Sequence, residues 1–295
     1  MKERRQAADD LGNSFDIRKG VVVGGNMETK VQLDITVSSL TEYVKQVTEI
    51  SSSWGDEESF IAPWFRGIGN SDAFKLLPRL YREPNIDPLK EEAKIRVAFS
   101  SRALPYLASI QKREPWDWYF LMQHYGVPTR LLDWTESALV ALYFALHSRT
   151  TKQRSYPAVW VLDPFELNAI TVNDRTIVVP SEISLNRHLP KCGLGVQARL
   201  PVAVHPEYAD VRMRAQHSKF TLHGNEVIPL EEMPELQQLR EQMRLVRILI
   251  AAADDDAVDA LRRSLDLLGM RNSTVFPDLN GLAMDIRQDY TPTQE

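Results

Sequence analysis

The sequence predicts an α+β fold, a mixed or antiparallel split sheet flanked by helices and followed by a C-terminal helical region. Three observations point there. Short β-type runs such as Phe60-Ile61-Ala62-Pro63-Trp64-Phe65 and Ala158-Val159-Trp160-Val161-Leu162 recur between stretches of helical character. One predicted helix, Ser137 to Ser148, is apolar on every side from Ala138 to Leu146, which places it in the core. From Glu231 onward, Leu236, Leu239, Met243, Val246 and Leu249 fall at three- and four-residue spacing, as on one face of a helix.

Each element has a local reason. Val31, Leu33, Ile35 and Val37 alternate as a strand does, and Ser38-Ser39-Leu40-Thr41-Glu42 then supplies a capping hydroxyl and a first-turn acid for a helix. The run from Phe60 stops at Gly67, which sets Arg66 at a strand end. Pro78-Arg79-Leu80-Tyr81-Arg82 reads as a turn, and Leu89 to Leu107 as a helix with acids early and arginines late. A Pro-marked helix from Trp116 to Tyr125 is broken by Gly126-Val127-Pro128, and Thr129 to Trp134 is a short strand. Asp133, with Glu136 three positions on, has the spacing of a capping box for the apolar helix. Pro157 to Leu162 is a buried strand ended by Asp163-Pro164, residues 165–200 read as loop and short strand, and Val202 to His205 and Lys219 to Leu222 are further strands. Ala257 to Leu268 is a last amphipathic helix stopped by Gly269.

A chain of 295 residues, 43% hydrophobic and 25% charged, can bury a sizeable core and falls outside the disordered, collagen and coiled-coil classes. The net charge of −5 has the wrong sign for coating nucleic acid by bulk charge, though it leaves room for a local basic groove. A single cysteine, Cys192, forms neither an intrachain disulfide nor a cysteine-built zinc site. No stretch approaches the length of ~18 apolar residues that a membrane span needs, so the expectation is a cytoplasmic protein without membrane attachment. No phosphate-cradling Gly-x-x-x-x-Gly-Lys, Gly-x-Gly-x-x-Gly, Gly-x-Ser-x-Gly or His-Glu-x-x-His occurs, which leaves kinase, dehydrogenase, hydrolase and zinc-protease readings without support.

Three constellations hold groups fit for chemistry. In Trp64-Phe65-Arg66-Gly67, Arg66 is either a planar fork for a phosphate, with Gly67 letting backbone approach, or a member of an ordinary ion pair. In Gln123 to Thr135, polar side chains crowd a glycine turn between apolar helices. His124 is either an acid, a ribose or phosphate donor, or a structural ring on a carbonyl. Arg130 is either a second phosphate contact or the partner of a carboxylate; Trp134 is a stacking surface or core; Asp133 and Thr135 serve as caps or more. In Arg214 to Gly224, Gln216 offers an uncharged amide to a sugar, and Glu226 is the nearest carboxylate, a displaced acid or a solvated charge.

Together with Leu267-Leu268-Gly269 and Phe276-Pro277-Asp278-Leu279-Asn280-Gly281-Leu282, these blocks resemble the FRG domain family, named after its Phe-Arg-Gly motif. The resemblance covers about residues 35–285, leaving 1–34 as a leader and 286–295 as a tail. It implies a domain found in bacteria, phages and mobile elements, with roles in phage conflict. A remoter resemblance is to ADP-ribosyltransferases of the Arg-Ser-Glu type. Arg66 matches their NAD-contacting arginine, Thr129 to Thr135 with Ala141-Leu142-Tyr143-Phe144-Ala145 is similar to their second strand and helix, and Gln216 falls roughly where their catalytic Glu stands. This implies NAD as ligand, without a metal. Arg66, Gly67, Tyr125, Thr129, Arg130, Asp133 and Trp134 would then line the cofactor pocket, with His124 and Gln216 at the chemistry. It also implies ADP-ribosyl transfer to a macromolecular target, or NAD hydrolysis. The Ser-Thr-Ser is missing, and an amide at 216 cannot stabilise a ribose cation as a carboxylate does, so such chemistry would be altered or absent. The alternative is a non-enzymatic module that binds a protein or nucleic-acid partner. Convergence of Arg66, His124 and Gln216 on one concave pocket favours the first reading over the second.

Overall fold

The computed structural model describes residues 34–55, 61–83, 87–107, 115–149, 155–180, 187–189, 196–206, 211–252 and 254–290. The expected leader, Cys192 and much of the loop region before Val196 lie outside the described residues. Strand β1 (Asp34–Val37) leads into α1 (Leu40–Ser52), where the Ser39 hydroxyl accepts from the Glu42 amide at 3.2 Å and the Glu42 carboxylate returns to the Ser38 amide at 2.8 Å. The chain continues through β2 (Trp64–Ile68), α2 (Pro88–Ala103), α3 (Pro115–His124), β3 (Leu131–Thr135), α4 (Ala138–His147) and β4 (Ala158–Leu162). Next come α5 (Pro164–Thr171), β5 (Val202–Val204), α6 (Val211–Ala215), β6 (Ser218–Leu222), α7 (Gln237–Glu241) and β7 (Leu245–Ile250), then α8 (Asp255–Leu267), α9 (Asn272–Val275) and α10 (Leu279–Tyr290).

The seven strands form one mixed sheet in the order β1-β7-β4-β2-β3-β6-β5, with β1 and β7 parallel and every other pair antiparallel. Its seam is between β2 and β3. Five residue pairs join β2 to β4 and five join β3 to β6, but β2 and β3 meet at Phe65 and Thr135 alone. Past that pair the two strands part, and the sheet is split.

Both faces are covered. Phe65, Val159, Val161, Val246 and Ile248 pack under Tyr43 and Ile50 of α1, Leu142 and Leu146 of α4 and Val258 and Leu265 of α8. On the opposite face Trp64, Trp134, Trp160 and Leu245 meet Leu167 of α5 and Leu239 of α7. Because Phe65 is paired with Thr135, Asp133 and Leu131, at even spacing from Thr135, share the α4 side. There Trp116, Tyr119 and Phe120 of α3 cover Leu131, Phe220 and Leu222. Helices α3 and α4 therefore stand on one face, on either side of the split. Leu142 is 1% exposed in the middle of this packing, so Leu142→Ala is expected to cost about 2–5 kcal/mol through the cavity it leaves. An unchanged urea midpoint would place that side chain outside the core.

Four expectations need correction. Arg66 is not at a strand end, since β2 runs through Gly67 to Ile68 and pairs with β4 along its length. Gly67 is glycine because α4 crosses it there: a Cβ would lie 1.8 Å from the Ala141 carbonyl oxygen. Asp133 does not cap α4; it lies within β3, and the Ser137 hydroxyl accepts from the Val140 amide at 3.3 Å instead. Asp163 ends β4 but opens α5, its Oδ1 accepting from the Phe165 and Glu166 amides, where loop had been expected. Finally, the region after Glu231 is not helical throughout, because Leu245–Ile250 forms β7 between β1 and β4.

Candidate functional site: an arginine-lined cleft at the sheet split

A cleft of about 750 Å³ opens where β2 and β3 part, bounded by the C-terminal end of α3 and by Phe144 and Ser148 at the end of α4. The α3 end is local chemistry. Gly126 adopts φ +72°, and the Val127 amide closes back on the Met122 carbonyl at 2.9 Å, which turns the chain from α3 toward β3 and leaves His124 and Tyr125 on the rim. Tyr125 is 67% exposed, and its ring meets that of His124 edge-on.

Arg66 reaches across the split. Its Nη1 donates to the main-chain oxygen of Asp133 at 2.6 Å, supplying a partner where no β2–β3 ladder exists, while its Nε is buried with no partner among the described residues. Three further arginines face the same space. Arg79 and Arg82 come from the short 3-10 turn after Pro78; Arg79 donates to the Gly126 carbonyl at 3.3 Å and Arg82 to the Leu77 carbonyl. Arg212 comes from α6, its guanidinium 4.6 Å from the centre of the Phe276 ring. Burial pulls the Arg66 guanidinium below its ordinary range; Asp133 opposes that and Arg82 adds to it. Burial lowers Arg82 as well, with Asp133 again opposing and Arg79 adding. Arg82 thus repels Arg66 and Arg79 repels Arg82, and Asp133 is the one carboxylate in the lining among the described residues.

Asp133 is held by neutral groups. The Gln123 amide donates to its Oδ1 at 2.8 Å, and the Thr129 hydroxyl donates to Gln123 Oε1 at 2.6 Å while accepting from the Leu131 amide at 3.1 Å. Its Oδ2 stands 3.7 Å from Arg66 Nη1.

The cleft brings together Arg66, Gly67, His124, Tyr125, Asp133, Trp134 and Gln216 from the residues the sequence singles out. Trp134 contributes from an indole packed in the core and bonded to the Thr221 hydroxyl at 3.1 Å. The Gln216 side-chain amide donates to the Val275 carbonyl at 3.1 Å, and its main-chain carbonyl accepts from the Thr135 hydroxyl. Thr129 and Arg130 are not in the lining. Thr129 is buried beneath Gln123, and Arg130 is fully buried beside Glu92, donating to that carboxylate at 2.7 Å and to the carbonyls of His223 and His188. Burial works against the charge on Arg130, and Glu92 together with Tyr81 and Tyr119 more than offsets it, so the net shift is upward. Glu226 is also outside the lining, paired with Arg199 at 2.7 Å.

Sequence reasoning missed Arg79, Arg82, Arg212 and Gln123. Pro78-Arg79-Leu80-Tyr81-Arg82 carried a signal, two arginines on a proline-opened turn, and Gln123 stood unassigned at the head of the central polar constellation. Among the described residues no cluster of three or more His, Cys, Asp and Glu side chains is placed to hold a metal ion, and no helix is long and apolar enough to cross a membrane.

No curated protein and no solved structure matches the chain. A family model does, over residues 62–154. That stretch supplies both walls of the split, Arg66 and Gly67 on β2, the α3 turn, Asp133 on β3, and α4, and its match is to the FRG domain: the chain carries an FRG domain.

Proposed function

We propose that the cleft binds a phosphate-bearing nucleotide, with NAD as the dinucleotide to test first. The observation that carries this reading is the convergence of Arg66, Arg79, Arg82 and Arg212 on one concavity in which Asp133 is the one lining carboxylate among the described residues. Such an excess of positive charge is costly in the empty protein and is relieved by an anion with several oxygens, which guanidinium forks meet two at a time. The volume lies within the range of about 300–1,000 Å³ typical of small-molecule sites. The ADP-ribosyltransferase resemblance supports NAD in particular, since Arg66 is the residue it aligns with the NAD-contacting arginine. It gives less support to turnover. Gln216 presents an amide already bonded to Val275, and an amide supplies only a dipole to a developing ribose cation.

Calorimetric titration with NAD tests the reading. Arg66→Lys is expected to keep the fold and weaken NAD binding about tenfold or more, because a point charge cannot reproduce a bidentate contact. Arg79→Ala, at an exposed position, should weaken it as well. Equal affinity in wild type and both variants would remove the arginine cleft as the nucleotide site.

A further inference from the structure

A carboxylate inside a cleft rich in arginine weakens the binding of any phosphate near it; Asp133 offsets part of the charge on Arg66 and Arg82, and its exposed oxygens are also placed to accept from a ligand group that donates. Its setting keeps it available. Thr129 Oγ1 receives the Leu131 amide, which leaves the Thr129 hydroxyl hydrogen for Gln123 Oε1. That fixes the Gln123 amide with its NH₂ toward Asp133, because the flipped amide would set two acceptors against each other. Arg66 faces the carboxylate at ion-pair range without taking up its hydrogen-bond positions. Its short bond goes to the Asp133 main-chain oxygen at 2.6 Å, while the carboxylate Oδ2 stands 3.7 Å away, outside hydrogen-bond range. The Asp133 side chain is 59% exposed.

We infer that Asp133 is the hydroxyl acceptor of the cleft and that the ligand class is ribonucleotides, the ribose diol on Asp133 and the phosphates on the arginines. This rests on the nucleotide reading above. At neutral pH the diester phosphate oxygens of a dinucleotide carry no proton and only accept hydrogen bonds, so the donor must come from the rest of the ligand. In a nucleotide the donors next to the phosphates are the ribose hydroxyls, and a carboxylate takes a vicinal diol with both oxygens. Asp133 is then a specificity residue, Gln123 and Thr129 its positioning residues, and deoxynucleotides and plain polyanions are the disfavoured ligands.

The test is calorimetry with three probes: ADP, 2′,3′-dideoxy-ADP and inorganic pyrophosphate. Wild type is expected to prefer ADP over the dideoxy analogue by about tenfold or more, the scale of hydrogen bonds to a charged acceptor. Asp133→Asn should lose most of that preference and bind pyrophosphate as well as, or better than, wild type. If pyrophosphate binds and Arg66→Lys weakens it, but ADP and its dideoxy analogue bind equally, the role of Asp133 is overturned and the anion site stands. If pyrophosphate does not bind, or binds regardless of Arg66, the nucleotide reading falls and this inference falls with it.

Discussion

Glu92→Ala is expected to lower stability by about 3–5 kcal/mol, read as a shift of the urea midpoint, because it strands a buried cation. Arg130 is 0% exposed and Glu92 equally inaccessible. Between them they satisfy a network: Glu92 accepts from Arg130 Nε at 2.7 Å, from the Arg130 amide at 3.2 Å and from the Tyr119 hydroxyl at 3.0 Å. Arg130 also donates from Nη1 to the His223 carbonyl and from Nη2 to the His188 carbonyl. Removing the acid leaves a guanidinium that still has two carbonyls but no counter-charge, in a place water does not reach. The same substitution should leave the nucleotide affinity of the folded protein unchanged, since neither residue lines the cleft. A midpoint equal to wild type would show that the pair contributes nothing net to folding. A large loss of affinity without loss of stability would return Arg130 to the ligand.

What could be read from the sequence followed how local its cause was. The segment from Pro115 to His147 was legible where a boundary is marked by a residue with one physical use, Pro115 opening α3 and Gly126 at positive φ closing it; the α4 cap was misplaced on Asp133, because Ser137 takes it once Asp133 is held in β3. Strand β7 was not legible. Leu245-Val246-Arg247-Ile248-Leu249-Ile250 is apolar at all positions but one, and such a run reads as helix or strand depending on where the spacing is counted. Its conformation is set by pairing with β1 and β4, which lie far away in sequence. The site divides the same way. Arg66, His124 and Gln216 stood out by their local company and do meet in one cleft, whereas Arg79, Arg82 and Arg212 reach it only because a 3-10 turn and a short helix fold over the split. Arg130 shows the opposite case. Its neighbours allowed a phosphate contact or pairing with a buried carboxylate; the partner, Glu92, lies on α2, so the pair forms only once the chain has folded.

The same buried cluster should make the protein acid-sensitive in a window above the ordinary carboxylate range. His223 is fully buried, its ring edge-on to Tyr81, and neither ring nitrogen has a hydrogen-bond partner among the described residues. Burial pushes its pKa down to about 3, with the nearby Arg130 and Arg66 charges adding to the effect. His188 is pushed down to about 4, again by burial first, with a bond to the Leu200 carbonyl opposing and Arg130 contributing. The sign follows from proton counting. Unfolded, both rings take up a proton as the pH falls through about 6.5, whereas folded they stay neutral until about 4 and 3. Below about 6.5 the unfolded state therefore binds more protons, and stability falls with falling pH by up to about 1.4 kcal/mol per pH unit for each histidine. Urea midpoints measured between pH 6.5 and 5, where most carboxylates remain ionised, should drop steadily. His223→Phe keeps an aromatic ring against Tyr81 and removes one titrating group, so its midpoint should fall less steeply over the same window. A wild-type midpoint that does not move with pH there, or a slope identical in His223→Phe, would show that protonation of these rings does not oppose folding.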